Sequence, residues 1–321
     1  METNKCRICS SVNNTEEYVL KEMMFGTREE FEYFKCLNCG CLQIKQIPSN
    51  LEKYYPSDYL IFTEPGESVL RKFMRFKREI YLLGGKGMIG KILTRIFGIP
   101  NGYLWLNGLN LKSDNSILEV GCGNGDLLVK MHKAGFKNLV GVDPFIKKEI
   151  IYSENFKILK RSLQELNNLS FDLIMFHHSF EHLDDPHETF DSLKKLLKKS
   201  GTVLIRIPVI DSYSWKYYKT NWVQLDPPRH LFNYSIKSIE ILAAKYGFKI
   251  SEVIYDSTGF QFIGSEQYRK DIPLMSSKSY FQDAKKSIFT NDQIKSFDAK
   301  AVELNNRKEG DTACIFLKIS E

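Results

Sequence analysis

The sequence predicts an α/β chain whose main body is a Rossmann-like sheet, preceded by a small cysteine-bearing ribbon and a basic helical linker. Two observations predict it. From residue 115 onward, short apolar strands alternate with helices, and the first strand runs into a glycine-rich turn. Before residue 42, five of the seven cysteines crowd together, four of them as Cys-x-x-Cys pairs. The 321 residues suit one large domain or two modest ones. With 43% hydrophobic and 26% charged residues the profile is that of a folded globular protein, which excludes disordered, collagen-like and disulfide-dense chains. The net charge of +6 is mild and does not by itself call for nucleic acid. No run approaches the ~18 apolar residues of a membrane span, and the first residues hold no apolar export segment. A cytoplasmic location is therefore expected.

Residues 1–48 read as the ribbon. Cys6-Arg-Ile-Cys9 and Cys36-Leu-Asn-Cys39 each bring two thiolates onto one tight turn, and Gly40 suits a turn that needs positive φ. In a reducing compartment such pairs read as metal ligands, and four thiolates close a structural Zn2+ site with no open position. Cys41 stands as an alternative to Cys39. The stretches around Tyr18 and Tyr33 read as the ribbon's short strands.

Residues 49–112 read as a linker with basic helices. Residues 69–97 carry eight basic residues (Arg71, Lys72, Arg75, Lys77, Arg78, Lys86, Lys91 and Arg95) against Glu79 alone, a net +7. Apolar residues recur there at helical spacing, and Gly84-Gly85 divides two helices. The expected arrangement is a helix pair whose solvated face is basic. The functional alternative is peripheral contact with an anionic membrane or another anionic surface.

Residues 113–321 read as the main α/β unit. Strands are expected at 116–120, 139–142, 156–159, 171–176, 202–207, 249–255 and 312–319, with helices at 126–134, 187–199 and 291–306. Residues 257–311 form an insertion before the last strand that can serve as a lid over an acceptor pocket.

The first strand ends Glu119-Val-Gly121-Cys122-Gly123-Asn-Gly125, and the second ends at Asp143. Glycines at such a turn let the backbone approach a nucleotide-like ligand, and a carboxylate ending strand two can accept ribose hydroxyls. The E-x-G-x-G-x-G pattern resembles motif I of class I S-adenosylmethionine (SAM) dependent methyltransferases. The segment Phe171-Asp172 to Glu181-His182-Leu-Asp-Asp-Pro186 is similar to the stretch after strand four in that superfamily. Together with the cysteine ribbon, Tyr54-Tyr55-Pro56, Asp58-Tyr59 and Gln224-Leu-Asp-Pro-Pro-Arg229-His230, the chain resembles a bacterial subgroup associated with polysaccharide and secondary-metabolite biosynthesis.

That resemblance implies a seven-stranded class I methyltransferase sheet and SAM as cofactor. It implies that Glu119, Gly121, Cys122, Gly123, Gly125, Asp143 and Pro144 line the SAM site, with Ser162 and Leu163 near the adenine and His177 beside the methionine moiety. It implies a small-molecule acceptor related to carbohydrates, with methylation of a hydroxyl preferred and nitrogen or carbon left open. RNA or DNA is the alternative acceptor, and a SAM-binding scaffold without turnover the alternative class.

Methyl transfer to a hydroxyl needs a proton acceptor in the loops after strands four and five. His178 and His230 are the candidate catalytic bases, because an imidazole titrates near working pH. Glu181, His182, Trp222 and Arg229 are the candidate substrate-binding residues, with Arg229 as an anion clamp. The tyrosines and tryptophans of residues 213–222 suit either a stacking surface or a packed lid. A sharper alternative makes His178, Glu181, His182 and His230 a divalent-metal site. That spacing is similar to the metal-dependent small-RNA 2′-O-methyltransferases, although His178 stands where they carry Glu. The reading preferred on sequence has Glu181 capping a helix N-terminus and His182 packing in the site wall.

Overall fold

A computed structural model describes residues 4–12, 14–55, 69–99 and 101–320. Pro56, Asp58 and Tyr59, part of the resemblance above, lie outside the described residues.

The ribbon is an antiparallel sheet of β1 (Thr15–Lys21), β2 (Glu30–Cys36) and β3 (Leu42–Ile44). The cysteine turns precede β1 and follow β2. Gly40 adopts φ +80°, the left-handed turn that only glycine takes without cost. Two helices follow, α1 (Val69–Leu82) and α2 (Met88–Phe97). The hairpin is held to the main unit by buried Glu79, which pairs with Lys130 at 2.8 Å.

The main unit runs through β4 (Ser116–Val120), α3 (Asp126–Ala134), β5 (Asn138–Val142), β6 (Ile150–Ser153), β7 (Phe156–Leu159), β8 (Phe171–His177), α4 (Pro186–Leu196), β9 (Leu197–Pro208) and α5 (Tyr213–Tyr218). It continues with β10 (Phe232–Asn233), α6 (Ile236–Lys245), β11 (Phe248–Tyr255), α7 (Phe260–Arg269), α8 (Asn291–Asn306) and β12 (Thr312–Ile319). The large sheet has the order β11-β12-β9-β8-β4-β5-β7-β6. Strands β7, β5, β4, β8 and β9 are parallel, and β12 is inserted antiparallel between β9 and β11. The expected seven strands are all present. The eighth, β6, pairs antiparallel with β7 at the edge. Its sequence, Ile-Ile-Tyr-Ser, carries no alternation to reveal it.

Strands β4, β5 and β8 are buried on both faces, which is why their sequences read as continuous apolar runs. The sheet order reverses at β4, with β5 on one side and β8 on the other. Ligands of open α/β sheets bind in the crevice outside the strand carboxyl ends at such a reversal. The glycine turn after β4 and the loops after β5 and β8 therefore surround one crevice.

Strand β10 belongs to the other sheet, pairing with β3 through Phe232↔Gln43 and Asn233↔Leu42. The ribbon is thus completed by residues that lie far along the chain. Residues 197–199, expected as the end of a helix, open β9 instead, and α4 stops at Leu196.

Candidate active site

The turn after β4 is built by glycine geometry and one carboxylate. Gly121 has φ +70°, and a Cβ placed there would stand 2.4 Å from the Ser179 Cβ. The turn and the start of the β8 loop therefore touch backbone to side chain, and the Ser179 hydroxyl seals the contact by donating to the Val120 carbonyl at 2.6 Å. Asp143 accepts the Gly123 amide at 2.9 Å and the Phe145 amide at 2.8 Å, so one buried carboxylate fixes both the turn after β4 and the turn after β5. Pro144 stands exposed between these contacts.

Glu119 is buried at the end of β4, and its Oε2 has no hydrogen-bond partner. Burial, with the Asp126 and Asp143 charges, pushes its carboxyl up to about 8. A buried acceptor left unmatched beside a glycine turn fits a ligand that brings hydroxyls. Cys122 is half-buried, and burial pushes its thiol well up, so it is a small wall residue and not a nucleophile. Ser162 spends its hydroxyl on Glu165 at 2.9 Å in a capping box, while Leu163 is buried. His177 is enclosed edge-on against Trp105 at 4.8 Å, and its Nε2 has no partner. Burial holds its imidazole neutral, far below the ordinary histidine range. Trp105 was not legible in the sequence, since nothing in residues 49–112 marks it.

Beyond β8 the chain brings His178, Glu181, His182 and His230 together. His178 sits at φ +52°, uncommon for a residue with a side chain, and its Nε2 lies 2.6 Å from the Arg206 Nη1. Arginine has only donors, so His178 accepts there, and its Nδ1 lies 3.7 Å from Glu181. His182 and His230 hold Nδ1 against backbone carbonyls, of Arg229 at 2.9 Å and of Gln224 at 2.8 Å. Burial first, and then the His182 charge, push His230 down to about 4. A general base near neutrality needs a higher value, which argues against His230 in that role. Glu181 is fully buried, and neither of its carboxylate oxygens has a hydrogen-bond partner. Burial would raise its carboxyl, but the imidazoles, His178 foremost, hold it lower than usual. Glu181 does not cap α4: that role belongs to Asp185, which accepts the amides of His187 and Glu188. The capping role expected of Glu181 is corrected accordingly.

With this geometry in view, residues 99–253 match the family model described as "Methyltransferase domain". This stretch is a methyltransferase domain. The chain is also similar to the tRNA U34 carboxymethyltransferase of Helicobacter acinonychis, 36% identical over 118 residues, covering 33% of this chain and 45% of that protein. It is similar to human EEF1A lysine methyltransferase 2, 26% identical over 140 residues, covering 40% of this chain and 59% of that protein. The chain thus spans about half the length of these curated relatives. Solved structures that resemble it include a cyclopropane synthase from Mycobacterium tuberculosis, at 18% identity and TM-score 0.43, covering 67% of this chain and 81% of that one. Another is an O-methyltransferase from a Brevibacillus brevis multienzyme with S-adenosyl-L-homocysteine, at 16% identity and TM-score 0.42, covering 80% of this chain and 81% of that one.

Two substrate-binding expectations do not survive the geometry of the methyltransferase domain. Arg229 is fully buried and engaged by Asp226 at 2.9 and 2.5 Å, by Glu22 at 2.8 Å and by the Tyr54 carbonyl at 3.2 Å. It ties the ribbon to the methyltransferase unit and presents no donor to a substrate anion. Trp222 is also fully buried, donating its indole N–H to Asp311 at 2.9 Å. Among the other aromatics, Trp215 and Tyr218 are buried, and Lys300 lies 4.3 Å over the Tyr213 ring. Trp215 and Tyr218 thus pack inward, while Tyr217 stacks on Tyr213 and stays 55% exposed. At the mouth of the methyltransferase site, Tyr55 and exposed Phe145 stack at 6.2 Å, and the Tyr55 hydroxyl lies 3.1 Å from His182 Nδ1.

In the ribbon, Cys6 and Cys39 lie 3.6 Å apart, as do Cys9 and Cys36, and the four sulfurs fall within 4.8 Å of one another. Four sulfurs at ~2.3 Å from one zinc would stand about 3.8 Å apart. Amides from Ile8, Asn38 and Gln43 already point at Cys6 and Cys9 sulfurs. Cys41 turns away, its thiol near the Leu42 carbonyl, so Cys39 is the one that joins the cluster.

Proposed function

We propose that this protein transfers a methyl group from SAM to a small hydroxyl-bearing acceptor, such as a sugar or sugar nucleotide. SAM, when bound, supplies an electrophilic methyl on a sulfonium. The observation that carries the reading is the joint pinning of the turns after β4 and β5 by Asp143, beside the unmatched Glu119 carboxylate. On this reading Asp143, Glu119 and the Gly121–Gly125 turn hold SAM. His177, kept neutral, lines the wall without placing a positive charge near the sulfonium. His178, the exposed imidazole of its group at 39%, accepts the acceptor's proton once the substrate displaces the Arg206 N–H that occupies its Nε2. The deep burial of Glu181 and His230 beneath Tyr55 supports a small acceptor over a polymer.

A tRNA acceptor is the second reading, favoured by the 36% identity to a tRNA-modifying relative. Calorimetric titration with SAM and S-adenosylhomocysteine tests the cofactor. A methylation screen with sugar nucleotides against bulk tRNA then tests the acceptor. Methyl incorporation into tRNA alone would reject the small-molecule reading.

We further propose that Cys6, Cys9, Cys36 and Cys39 hold a structural Zn2+. Metal-binding Cys-x-x-Cys pairs suit a reducing compartment, which supports a cytoplasmic location. Among the described residues no helix is long and apolar enough to cross a membrane. Instead we read residues 69–97 as a peripheral contact with anionic lipid, because the apolar side chains expected to pack are exposed: Leu70 at 67%, Met88 at 78%, Ile96 at 66%.

A further inference from the structure

We propose that Glu181, His182 and His230 bind a divalent transition-metal ion beside the methyl-transfer crevice. Their donor atoms lie within 4.8 Å of one another, and His230 Nε2 stands 3.8 Å from Glu181 Oε1. Ligands of a single ion, each bound at about 2.0–2.2 Å, stand roughly 3–4 Å apart, so a contraction of about an ångström closes the site.

Three observations point inward to a ligand. First, Glu181 is fully buried, yet neither oxygen has a hydrogen-bond partner. A buried carboxylate without hydrogen bonds is costly unless something positive meets it, and the flanking imidazoles, His178 Nδ1 at 3.7 Å and His230 Nε2 at 3.8 Å, stand beyond hydrogen-bond reach. Arg229 does not meet it, because its guanidinium is taken by Asp226, Glu22 and the Tyr54 carbonyl. Helix α4 does not, because Asp185 caps it.

Second, both imidazoles have their tautomer fixed from behind. A backbone carbonyl only accepts, so each Nδ1 carries the proton, donated by His182 to Arg229 and by His230 to Gln224. Each Nε2 keeps its lone pair, and in His230 this atom faces Glu181. Donation of the rear N–H to a carbonyl is the support that metal-binding histidines receive, fixing ring orientation and raising ligand basicity.

Third, the cluster is braced on several sides. Tyr33 donates to the His230 carbonyl at 2.9 Å, and the Leu231 amide donates to the Glu181 carbonyl at 3.0 Å. The ligands are therefore held by the ribbon and by the pairing of chain segments 181 and 231, and not by one flexible loop.

Two imidazoles and one carboxylate suit zinc, iron, cobalt or manganese. Three protein ligands leave coordination positions open, as at catalytic and not structural sites. His178 adjoins the cluster with its Nδ1 3.7 Å from Glu181. The open positions suit an oxygen-bearing acceptor, a role that rests on the methyl-transfer reading. Metal binding itself does not rest on it.

The test titrates zinc-loaded full-length protein, without SAM, with Co2+ and with Mn2+, following calorimetry, cobalt absorption and manganese spin resonance. The expected result is one further equivalent per chain, outside the thiolate cluster, weakened at least ~100-fold by Glu181→Gln and by His182→Ala. Ribbon zinc content and circular dichroism should be unchanged in these variants. His182 is half-buried, so its variant keeps the test open should Glu181→Gln fail to fold. No further equivalent in folded protein, or binding untouched by both substitutions, would overturn the proposal. SAM binding measured separately on the same samples distinguishes failure of the metal site from failure of the methyltransferase reading.

Discussion

Arg229 and Glu22, 207 residues apart in the chain, form a 2.8 Å ion pair with both side chains shielded from solvent. Glu22 also accepts the amides of Phe25 and Thr27, and Arg229 is matched again by Asp226. The pair therefore joins the ribbon's first turn to the segment that carries His230. Removing Arg229 strands both carboxylates, which costs about 3–5 kcal/mol, whereas removing Glu22 leaves Arg229 its Asp226 partner and costs less. Urea unfolding of Arg229→Ala should show a loss of that order in unfolding free energy, and of Glu22→Gln a smaller one. The double variant should cost less than the two single losses combined, because the stranded charge is gone. Additive losses in the double variant would show that the two residues act separately.

The cysteine cluster predicts which thiols matter. Cys39→Ser should lose stoichiometric zinc, measured by metal analysis, and the ribbon's thermal stability with it. Cys41→Ser should keep the zinc, because that thiol points to the Leu42 carbonyl and away from the four sulfurs. Zinc retained by Cys39→Ser and lost by Cys41→Ser would reverse the ligand assignment.

Asp143 both holds two turns and faces the crevice, so Asp143→Ala should weaken SAM binding by at least ~10-fold, or about 1.4 kcal/mol. Asp143→Asn, which keeps an acceptor for one amide, should recover part of the loss. Calorimetry reads both. Equal affinity in all three proteins would show that the cofactor does not depend on this carboxylate.

Glu119 supplies a pH dependence. Its carboxyl is raised to about 8 in the folded protein by burial and by the Asp126 and Asp143 charges, against an ordinary value of 4.5. Between those values the folded state keeps a proton that the unfolded state releases. This contribution to stability is therefore present below the ordinary value and falls away as pH rises toward 8. Ligand-free protein should lose melting temperature across that window, and Glu119→Gln should flatten the slope. A wild-type slope that Glu119→Gln leaves untouched would place the titration elsewhere.

The sheet, its helices and the glycine turn were legible because each rests on local rules: apolar runs for buried parallel strands, glycines at positive φ, and a carboxylate at a strand end. The cysteine pairs were legible for the same reason. What could not be read depends on long-range pairing. Arg229 looked like an anion clamp because nothing in its neighbourhood announces Glu22. Glu181 looked like a helix cap until Asp185 was seen to fill that position. Trp105 against His177, and β10 completing the ribbon sheet, are likewise contacts between distant segments. Residues 69–97 taught the opposite lesson. Their helical periodicity was correct, but periodicity cannot say whether an apolar stripe meets protein or solvent.

That hairpin carries the last prediction. Its net charge of +7 shares a surface with exposed Leu70, Phe73, Ile89, Ile92 and Phe97, while Leu83 and Leu93 are the buried leucines that hold it in place. Apolar side chains flanked by lysine and arginine suit the boundary between headgroups and acyl chains, where both kinds of group are satisfied at once. The protein should co-sediment with vesicles containing phosphatidylglycerol and far less with pure phosphatidylcholine. Added salt should weaken binding by screening the charges, without abolishing the apolar part. Leu70→Glu with Ile92→Glu should cut binding at least ~10-fold while leaving SAM affinity intact, since neither residue lines the crevice. Binding to tRNA with no affinity for either vesicle would assign the basic surface to a nucleic-acid acceptor instead, and would shift the choice of substrate screen accordingly.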